Sequence, residues 1–320
     1  MGTICAGSLL CHCRRVRPVE GGRKNSNSTH RIHRSGRARA FTTPRRTRKI
    51  LRPGPLATGS LSPKVESRCR PSFRPDVIVN AAAYTAVDRA ETEQSAATQI
   101  NAEALGILAE EAKRQQAILV HYSTDYVFDG SATLPYTETD GTGPINEYGK
   151  SKLAGEQKIT QPGGAHFILR TSWVYSPRGS NFLLKVLQLG SERDMLRVVN
   201  DQIGSPTPAS VVGDATQAVL QHCRSFEHAR NLSGVYHASC RGQTSWFEFA
   251  QTIFAQAREI RLRGLTAREV VPTSTKEYPS STQRPHYSVL CCRKIGETFS
   301  FRAPEWQHAL TAVIRKVPQK

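Results

Sequence analysis

An abrupt change of character at Phe73 constrains this chain more than any other feature. Residues 1–73 hold 17 Lys and Arg against 2 Asp and Glu, whereas the remainder holds 27 against 24. The net charge of +18 over 320 residues therefore resides almost wholly in the first quarter, and residues 74–320 have an ordinary globular balance. The first segment shows no sustained period of 2 or 3.6 and is rich in Arg, Ser, Gly and Pro, as in Arg31 to Arg39. Too little apolar surface is available there to offset chain entropy, so residues 1–72 are expected to be a basic segment that is disordered or read out of frame. A presequence is the second reading, from the Arg-rich, Ser-rich, acid-poor composition. Nucleic acid is an unlikely partner, because Phe41 is the only aromatic residue before Phe73 and bases would have little to stack on.

Beyond Phe73 the pattern alternates. Val77 to Asn80 is a short apolar run ending in Asn and three alanines, Ile118 to Ser123 is a second apolar run, and Phe167 to Ser172 is a third. Between them lie helical stretches, Ala90 to Gln115 and Gly149 to Ile159; in the first, Ile100, Ala104, Ile107, Leu108 and Ala112 are expected on one buried face. Strand–helix–strand units at this spacing predict right-handed crossovers and a parallel sheet covered on both faces, an α/β fold. After Tyr175 the alternation loosens. Phe182 to Leu189, Val211 to Cys223, Trp246 to Ala257 and Pro304 to Ile314 read as helices, with loops at Asp201 to Pro208 and Tyr278 to Pro285. A smaller helix-rich lobe is expected, with residues 73–180 forming the sheet domain and 181–320 mainly the lobe.

Several function classes are disfavoured. No apolar run approaches the ~20 residues that span a bilayer, so no membrane partner is expected. The eight cysteines form no paired Cys-x-x-Cys array, and Cys11-His12-Cys13 is too cramped to chelate a tetrahedral ion by itself, so no metal is expected. Free thiols without an export signal point to a reducing, cytoplasmic setting.

Chemistry concentrates in two segments, Ser123 to Phe128 and Tyr148 to Lys152. A Tyr-x-x-x-Lys pair puts both side chains on one helical face, where a nearby ammonium is expected to lower the Tyr148 pKa and make the phenol a usable acid. With 9 tyrosines and 12 lysines in the chain, that spacing alone is weak, and a solvated helix face would explain it. Thr124 strengthens it by lying just past the carboxyl end of a buried strand, where open parallel sheets place their ligand crevices. Its hydroxyl could donate to the carbonyl oxygen that Tyr148 protonates. The trio reads as the proton-donating site of a nicotinamide-dependent carbonyl reductase.

From Phe73 to about Ile314 the chain resembles the dTDP-4-dehydrorhamnose reductases of the extended short-chain dehydrogenase/reductase superfamily. The segments that carry the resemblance are Arg74 to Ala83, Ser123 to Phe128, Asn146 to Glu156, Arg170 to Tyr175, Asn200 to Thr207, and Arg284-Pro285. It implies a Rossmann-like sheet, NADPH (or NADH) as cofactor, a dTDP-sugar substrate, and reduction of a 4-keto group in dTDP-rhamnose biosynthesis; a homodimer is compatible with it. By the same resemblance Tyr148 protonates the nascent alkoxide, Lys152 holds the nicotinamide ribose and Thr124 binds the keto oxygen. Asn80, Ala81 and Ala82 line the cofactor, with Asn101 supporting that wall. Trp173 and Arg284 face the sugar nucleotide, although Trp173 would equally suit a core aromatic and Arg284 a structural salt bridge. Gln202 and Asn181 read either as pocket residues or as loop caps. Tyr126 stands where the related sugar-nucleotide dehydratases carry an acid, which disfavours dehydration. Cys291-Cys292 departs from the family's Asp followed by a small polar residue and makes the start of the next helix less certain.

The glycine-rich first turn that cradles a dinucleotide pyrophosphate on a helix N-terminus is missing from residues 1–73, whose glycines (Gly21, Gly22, Gly36, Gly54 and Gly59 among them) lack its spacing. The missing turn keeps a second reading open, a non-catalytic reductase-like subunit such as the regulatory partner of a methionine adenosyltransferase. About 70 residues of unsuitable composition ahead of an abrupt onset of resemblance suggest translation out of frame up to near Phe73. Reading the underlying DNA in the other two frames tests this: a glycine-rich turn is expected in one of them, and its absence from both would overturn the idea.

Overall fold

The computed structural model describes residues 74–262, 264–267, 269–278 and 282–318; the basic segment expected over residues 1–72 lies outside them. The described chain opens with β1 (Val77–Asn80), followed by two short helices, α1 (Val87–Ala90) and α2 (Gln94–Thr98). A π-helical turn at Gln99–Glu103 joins α2 to α3 (Ala104–Gln115). Next come β2 (Ile118–Thr124), α4 (Glu147–Thr160) and β3 (His166–Thr171).

These strands pair as the alternation predicts. A four-stranded parallel sheet has the order β1-β2-β3-β8, in which β8 is Gly234–His237. Asn80 stands opposite His121, and Thr124 opposite Thr171, so the carboxyl ends of β1, β2 and β3 are brought side by side. Side chains alternate across the sheet. Ile78, Leu119 and Ile168 pack with Leu105, Ala109 and Ile159 of α3 and α4 on one face. Val77, Val120, Phe167 and Leu169 pack on the other with Ala215, Val219, Ile295 and Phe299.

The chain beyond residue 180 divides its loyalty. Between β3 and β8 lie β4 (Val174–Tyr175), α5 (Phe182–Glu192), β5 (Met195–Val199), β6 (Ile203–Gly204), β7 (Thr207–Pro208), α6 (Ala209–His222) and α7 (Phe226–Asn231). After β8 come β9 (Thr244–Ser245), α8 (Trp246–Glu259), β10 (Glu269–Thr273), α9 (Arg293–Phe299) and α10 (Trp306–Ile314). Helices α6 and α9 return to cover the second face of the sheet. Helices α5, α8 and α10 build a separate apolar cluster around Leu183, Phe249, Ile253 and Leu310. Strands β5 and β10 add a small parallel pair to it that periodicity does not reveal, because each is half exposed and only five residues long. Asn181 caps α5, its Oδ1 accepting from the Leu184 N–H at 3.3 Å. Cys292 occupies the N-cap of α9 without a side-chain cap bond, and its thiol contacts Ser239 instead.

One expectation fails on the first long helix. Ile100 and Ile107 are 43% and 74% exposed, and the buried face is Ala97, Asn101, Ala102, Leu105, Ala109 and Ala112. Ile107 lies about 200° around the regular helix α3 from both Leu105 and Ala109, so the packed face is the one bearing Leu105 and the alanines, and Ile100, in the π turn, also lies off it. The same turn puts the Asn101 carbonyl against Gly155 of α4. A Cβ at Gly155 would lie 2.0 Å from that oxygen and 2.8 Å from Leu105 Cδ1. Gly155→Ala is expected to destabilise the fold, because overpacking costs about 1–3 kcal/mol against ~1 kcal/mol of gained helix propensity. A lower urea midpoint at unchanged m-value checks this.

Candidate active site

The site sits at the carboxyl ends of β1 and β2, with the first turns of α4 above them. Helix α4 is placed by its cap: the Asn146 Oδ1 accepts from the Gly149 N–H at 2.8 Å, and its Nδ2 donates to the Gln283 carbonyl at 2.9 Å. Gly149 is required by close approach, since a Cβ there would lie 2.2 Å from the Tyr126 carbonyl oxygen. With no side chain in the way, the turn carrying Tyr148 packs directly on the chain leaving β2.

Thr124, Tyr126, Tyr148 and Lys152 are brought together. Thr124 is buried, accepts from the Tyr126 N–H at 3.2 Å and donates to Asp125 Oδ1 at 3.0 Å. It also neighbours the Tyr148 hydroxyl. The rings of Tyr126 and Tyr148 meet edge to face, 5.9 Å apart at 79°. Lys152 is 1% exposed; its Nζ donates to the Tyr122 carbonyl at 2.7 Å and pairs with His121 Nε2 at 3.0 Å.

The wall residues join through intermediaries. Buried Asn80 contacts His121 Nδ1 at 3.0 Å through its Nδ2. Ala81 is exposed, whereas Ala82 and Ala83 are half-buried past the end of β1. Asn101, in the π turn, accepts from the Tyr84 N–H at 2.8 Å and donates to Ser151 Oγ at 3.0 Å; Ser151 in turn donates to the Tyr148 carbonyl at 2.8 Å. Asn101 thus links the segment after β1 to the turn bearing the tyrosine. Arg284 places its charge near Tyr126 and pairs with Asp88 of α1 at 2.6 Å. Trp173 stands apart from these groups. Its φ of 48° turns the indole onto Trp246, with ring centroids 3.4 Å apart and planes 6° from parallel. It also covers Gly204, where a Cβ would lie 2.4 Å from the indole.

The electrostatics correct one expectation. Desolvation pushes the Tyr148 hydroxyl up to about 12, with the neighbouring Thr124 hydroxyl opposing the rise and the Asp125 charge adding to it. No ammonium lowers it, because the Lys152 nitrogen is turned towards His121 and the Tyr122 carbonyl. Burial pulls Lys152 down to about 8, against the pull of Glu156, and likewise raises Tyr126. Thr124 is also less available than expected, since its single hydrogen lies on Asp125. A Thr hydroxyl donates once, so binding a substrate oxygen means releasing Asp125.

Asp125 and His121 are the residues that motif reading missed. Their signal was present: a histidine inside an otherwise apolar strand, and a carboxylate flanked by the two motif residues Thr124 and Tyr126. Both are 2% exposed or less.

A nicotinamide cofactor can be tested against these residues. With the Tyr122 and His121 contacts made, Lys152 keeps one N–H in either protonation state, which fits a ribose hydroxyl. The small side chains Ala81 to Ala83 leave the end of β1 open. Among the described residues no glycine-rich turn is present for the pyrophosphate, so the fit is to the nicotinamide end.

Comparison with known proteins decides the family. The family model described as RmlD substrate binding domain matches residues 62–318. A dTDP-4-dehydrorhamnose reductase of Burkholderia thailandensis is 44% identical over 255 residues, covering 79% of this chain and 86% of the relative. The chain belongs to the dTDP-4-dehydrorhamnose reductase family. The Escherichia coli K12 reductase is 40% identical, with 77% of this chain and 81% of the relative covered. Among solved structures, a Bacillus anthracis dTDP-4-dehydrorhamnose reductase in complex with NADP superimposes with a TM-score of 0.69 at 37% identity, covering 76% of this chain and 81% of that one.

For this reductase-family chain, Asp125 offers a titration that isolates the site. Burial lifts its carboxyl to about 6, against hydrogen bonds from Ser288, Ser172 and Thr124. A raised carboxyl pKa means the folded state binds the proton more tightly. Its stabilising contribution is complete below the ordinary pKa near 4 and is lost as pH rises through about 6. Between pH 5 and 7.5 this group alone removes about 1 kcal/mol of stability. Urea unfolding of Asp125→Asn should therefore show a smaller loss over that interval than the unaltered chain, and parallel curves would contradict the assignment.

Proposed function

We propose that this chain reduces the C4 ketone of dTDP-4-dehydro-6-deoxy-L-mannose, giving dTDP-L-rhamnose. The observation that carries the reading is the meeting of Thr124, Tyr148 and buried Lys152 at the carboxyl edge of the sheet, in a chain 44% identical to a named reductase. NADPH, or NADH, supplies the hydride when bound. Tyr148 delivers its proton to the sugar's carbonyl oxygen as negative charge develops there, an acid step of the kind worth roughly 10²–10⁴ in rate. Thr124 orients that oxygen, its hydrogen swinging from Asp125 Oδ1 to the new partner. Lys152 holds the nicotinamide ribose through its remaining N–H, and Asn80, Ala81 and Ala82 form the wall beside it. Asn101 positions Tyr148 through Ser151.

Tyr126, Trp173 and Arg284 form the sugar-nucleotide side of the site. Arg284 sets a cation beside Tyr126, suited to a diphosphate. Trp173 is held in the left-handed region, an arrangement that costs about 1–3 kcal/mol and clusters at ligand sites. Tyr126 supplies no carboxylate, so elimination of water is not the reaction. Residues 73–180 serve as the cofactor half and 181–320 mainly as the substrate half, with β8 and α6 returning to the sheet. The setting proposed is the cytoplasm, where a homodimer is compatible with this reading, with neither nucleic acid nor membrane as partner. No helix among the described residues is long and apolar enough to cross a membrane.

The test is turnover of the purified full chain with the 4-keto sugar nucleotide, followed as NADPH oxidation. Tyr148→Phe should lower kcat by roughly 10²–10⁴ while KM changes little. A folded chain that fails to consume NADPH with this substrate would overturn the reading.

A further inference from the structure

The Asn80–His121–Lys152 chain of contacts has only one consistent placement of its hydrogens. The Ala82 N–H donates to Asn80 Oδ1 at 3.1 Å. A backbone N–H can only donate, so it pins the amide with oxygen towards Ala82 and Nδ2 towards His121, 3.0 Å from Nδ1. An amide nitrogen also only donates. His121 Nδ1 must therefore be the accepting nitrogen, and in a neutral imidazole the hydrogen then sits on Nε2. That Nε2–H points at Lys152 Nζ, 3.0 Å away. An ammonium has no lone pair to receive it.

We propose that Asn80 and His121 act as a tautomer lock that keeps the Lys152 side chain an uncharged amine in the resting site. The inference deepens the reductase reading, because Lys152 is the residue assigned there to the nicotinamide ribose. As an amine, Lys152 accepts from His121 Nε2–H, donates one N–H to the Tyr122 carbonyl at 2.7 Å and retains a second. Both His121 and Lys152 are 1% exposed, and burial disfavours the charged form of each. Burial by itself pulls Lys152 only to about 8 and holds His121 well below its ordinary value; the Nε2–H aimed at Nζ disfavours the ammonium further and takes the lysine below neutrality. The remaining charged or titratable neighbours are Tyr148 one turn back on α4, Glu156 one turn on, and Arg170 on β3. Glu156 favours the ammonium, but its carboxylate is held by Arg170 at 2.7 Å and by the Ser123 hydroxyl.

Charging Lys152 requires a linked rearrangement. One proton enters at Nζ, the imidazole hydrogen moves from Nε2 to Nδ1, and the Asn80 amide rotates to offer oxygen to Nδ1–H. That rotation breaks the bond to the Ala82 N–H on the cofactor wall. Protonation of the lysine and the backbone conformation at Ala82 are therefore coupled, and the acid strength of Tyr148 follows the lysine's charge. His121 is a positioning residue here, acting through Lys152.

Nuclear magnetic resonance of the full chain with ¹⁵N-histidine and ¹³Cε-lysine tests the lock, His121→Gln and Lys152→Arg serving to assign the signals. At neutral pH His121 should show a protonated Nε2 and an unprotonated Nδ1, and Lys152 should titrate below pH 7, far below the other lysines. Asn80→Asp, whose carboxylate accepts from both Ala82 N–H and an Nδ1–H, should switch the tautomer and move the lysine midpoint upward. An Nδ1–H tautomer in the unaltered chain, or a Lys152 midpoint above neutrality, would overturn the proposal whether or not Asn80→Asp folds. The readouts need neither substrate nor cofactor, so a chain inactive on the keto sugar leaves the lock standing, and failure of the lock leaves the reductase reading standing.

Discussion

A carboxylate and a guanidinium buried together beneath helix α4 hold the rest of the site in place. Glu156 takes two hydrogen bonds from Arg170, at 3.0 and 2.7 Å, and one from Ser123. Both partners of the pair are 4% exposed. The Arg170 guanidinium also lies 5.1 Å from the centre of the Phe128 ring. Such a pair adds little net stability over an apolar replacement, yet losing one partner costs about 3–5 kcal/mol because the other is left charged and buried. Its value is directional. Glu156 lies one turn beyond Lys152 on the same helix, so the clamp that ties α4 to β2 and β3 also sets the rotation that turns Lys152 inward.

Desolvation then gives the site its chemical character. The same exclusion of water raises Asp125 and Tyr148 and lowers Lys152. Each shift favours the neutral form. The resting site therefore holds its transferable proton firmly on the phenol, and a developing negative charge on a substrate oxygen meets hydrogen-bond donors already in place. Thr124 lies at the centre of this balance because its one hydrogen is contested between Asp125 and whatever oxygen occupies the crevice.

Much of this was legible from residues alone where spacing reflects local physics. The apolar runs ending at Asn80, Ser123 and Ser172 became three neighbouring parallel strands, and Tyr148 and Lys152 fell on one helix as their separation requires. Where the reading failed, a non-local or irregular element intervened. On the first long helix the face that packs bears Leu105 and alanines, because α4 approaches it closely at Gly155, and Ile100 and Ile107 are left exposed. Strands β5 and β10 pair across more than 70 residues with only three of their ten residues buried, too weak a pattern to recognise.

What the sequence by itself determined was the class of fold and the types of reacting group. Alternating apolar runs and helices admit few topologies, and Thr, Tyr and Lys at those positions carry a defined proton chemistry. What only the tertiary structure decided was the state of those groups. Whether a lysine lowers a tyrosine's pKa depends on where its nitrogen points, and here a histidine from β2 and a backbone carbonyl turn it away. Whether a threonine is free to donate depends on a neighbouring carboxylate being buried with it. Protonation depends on contacts and on loss of water, and both exist only once distant segments have packed together.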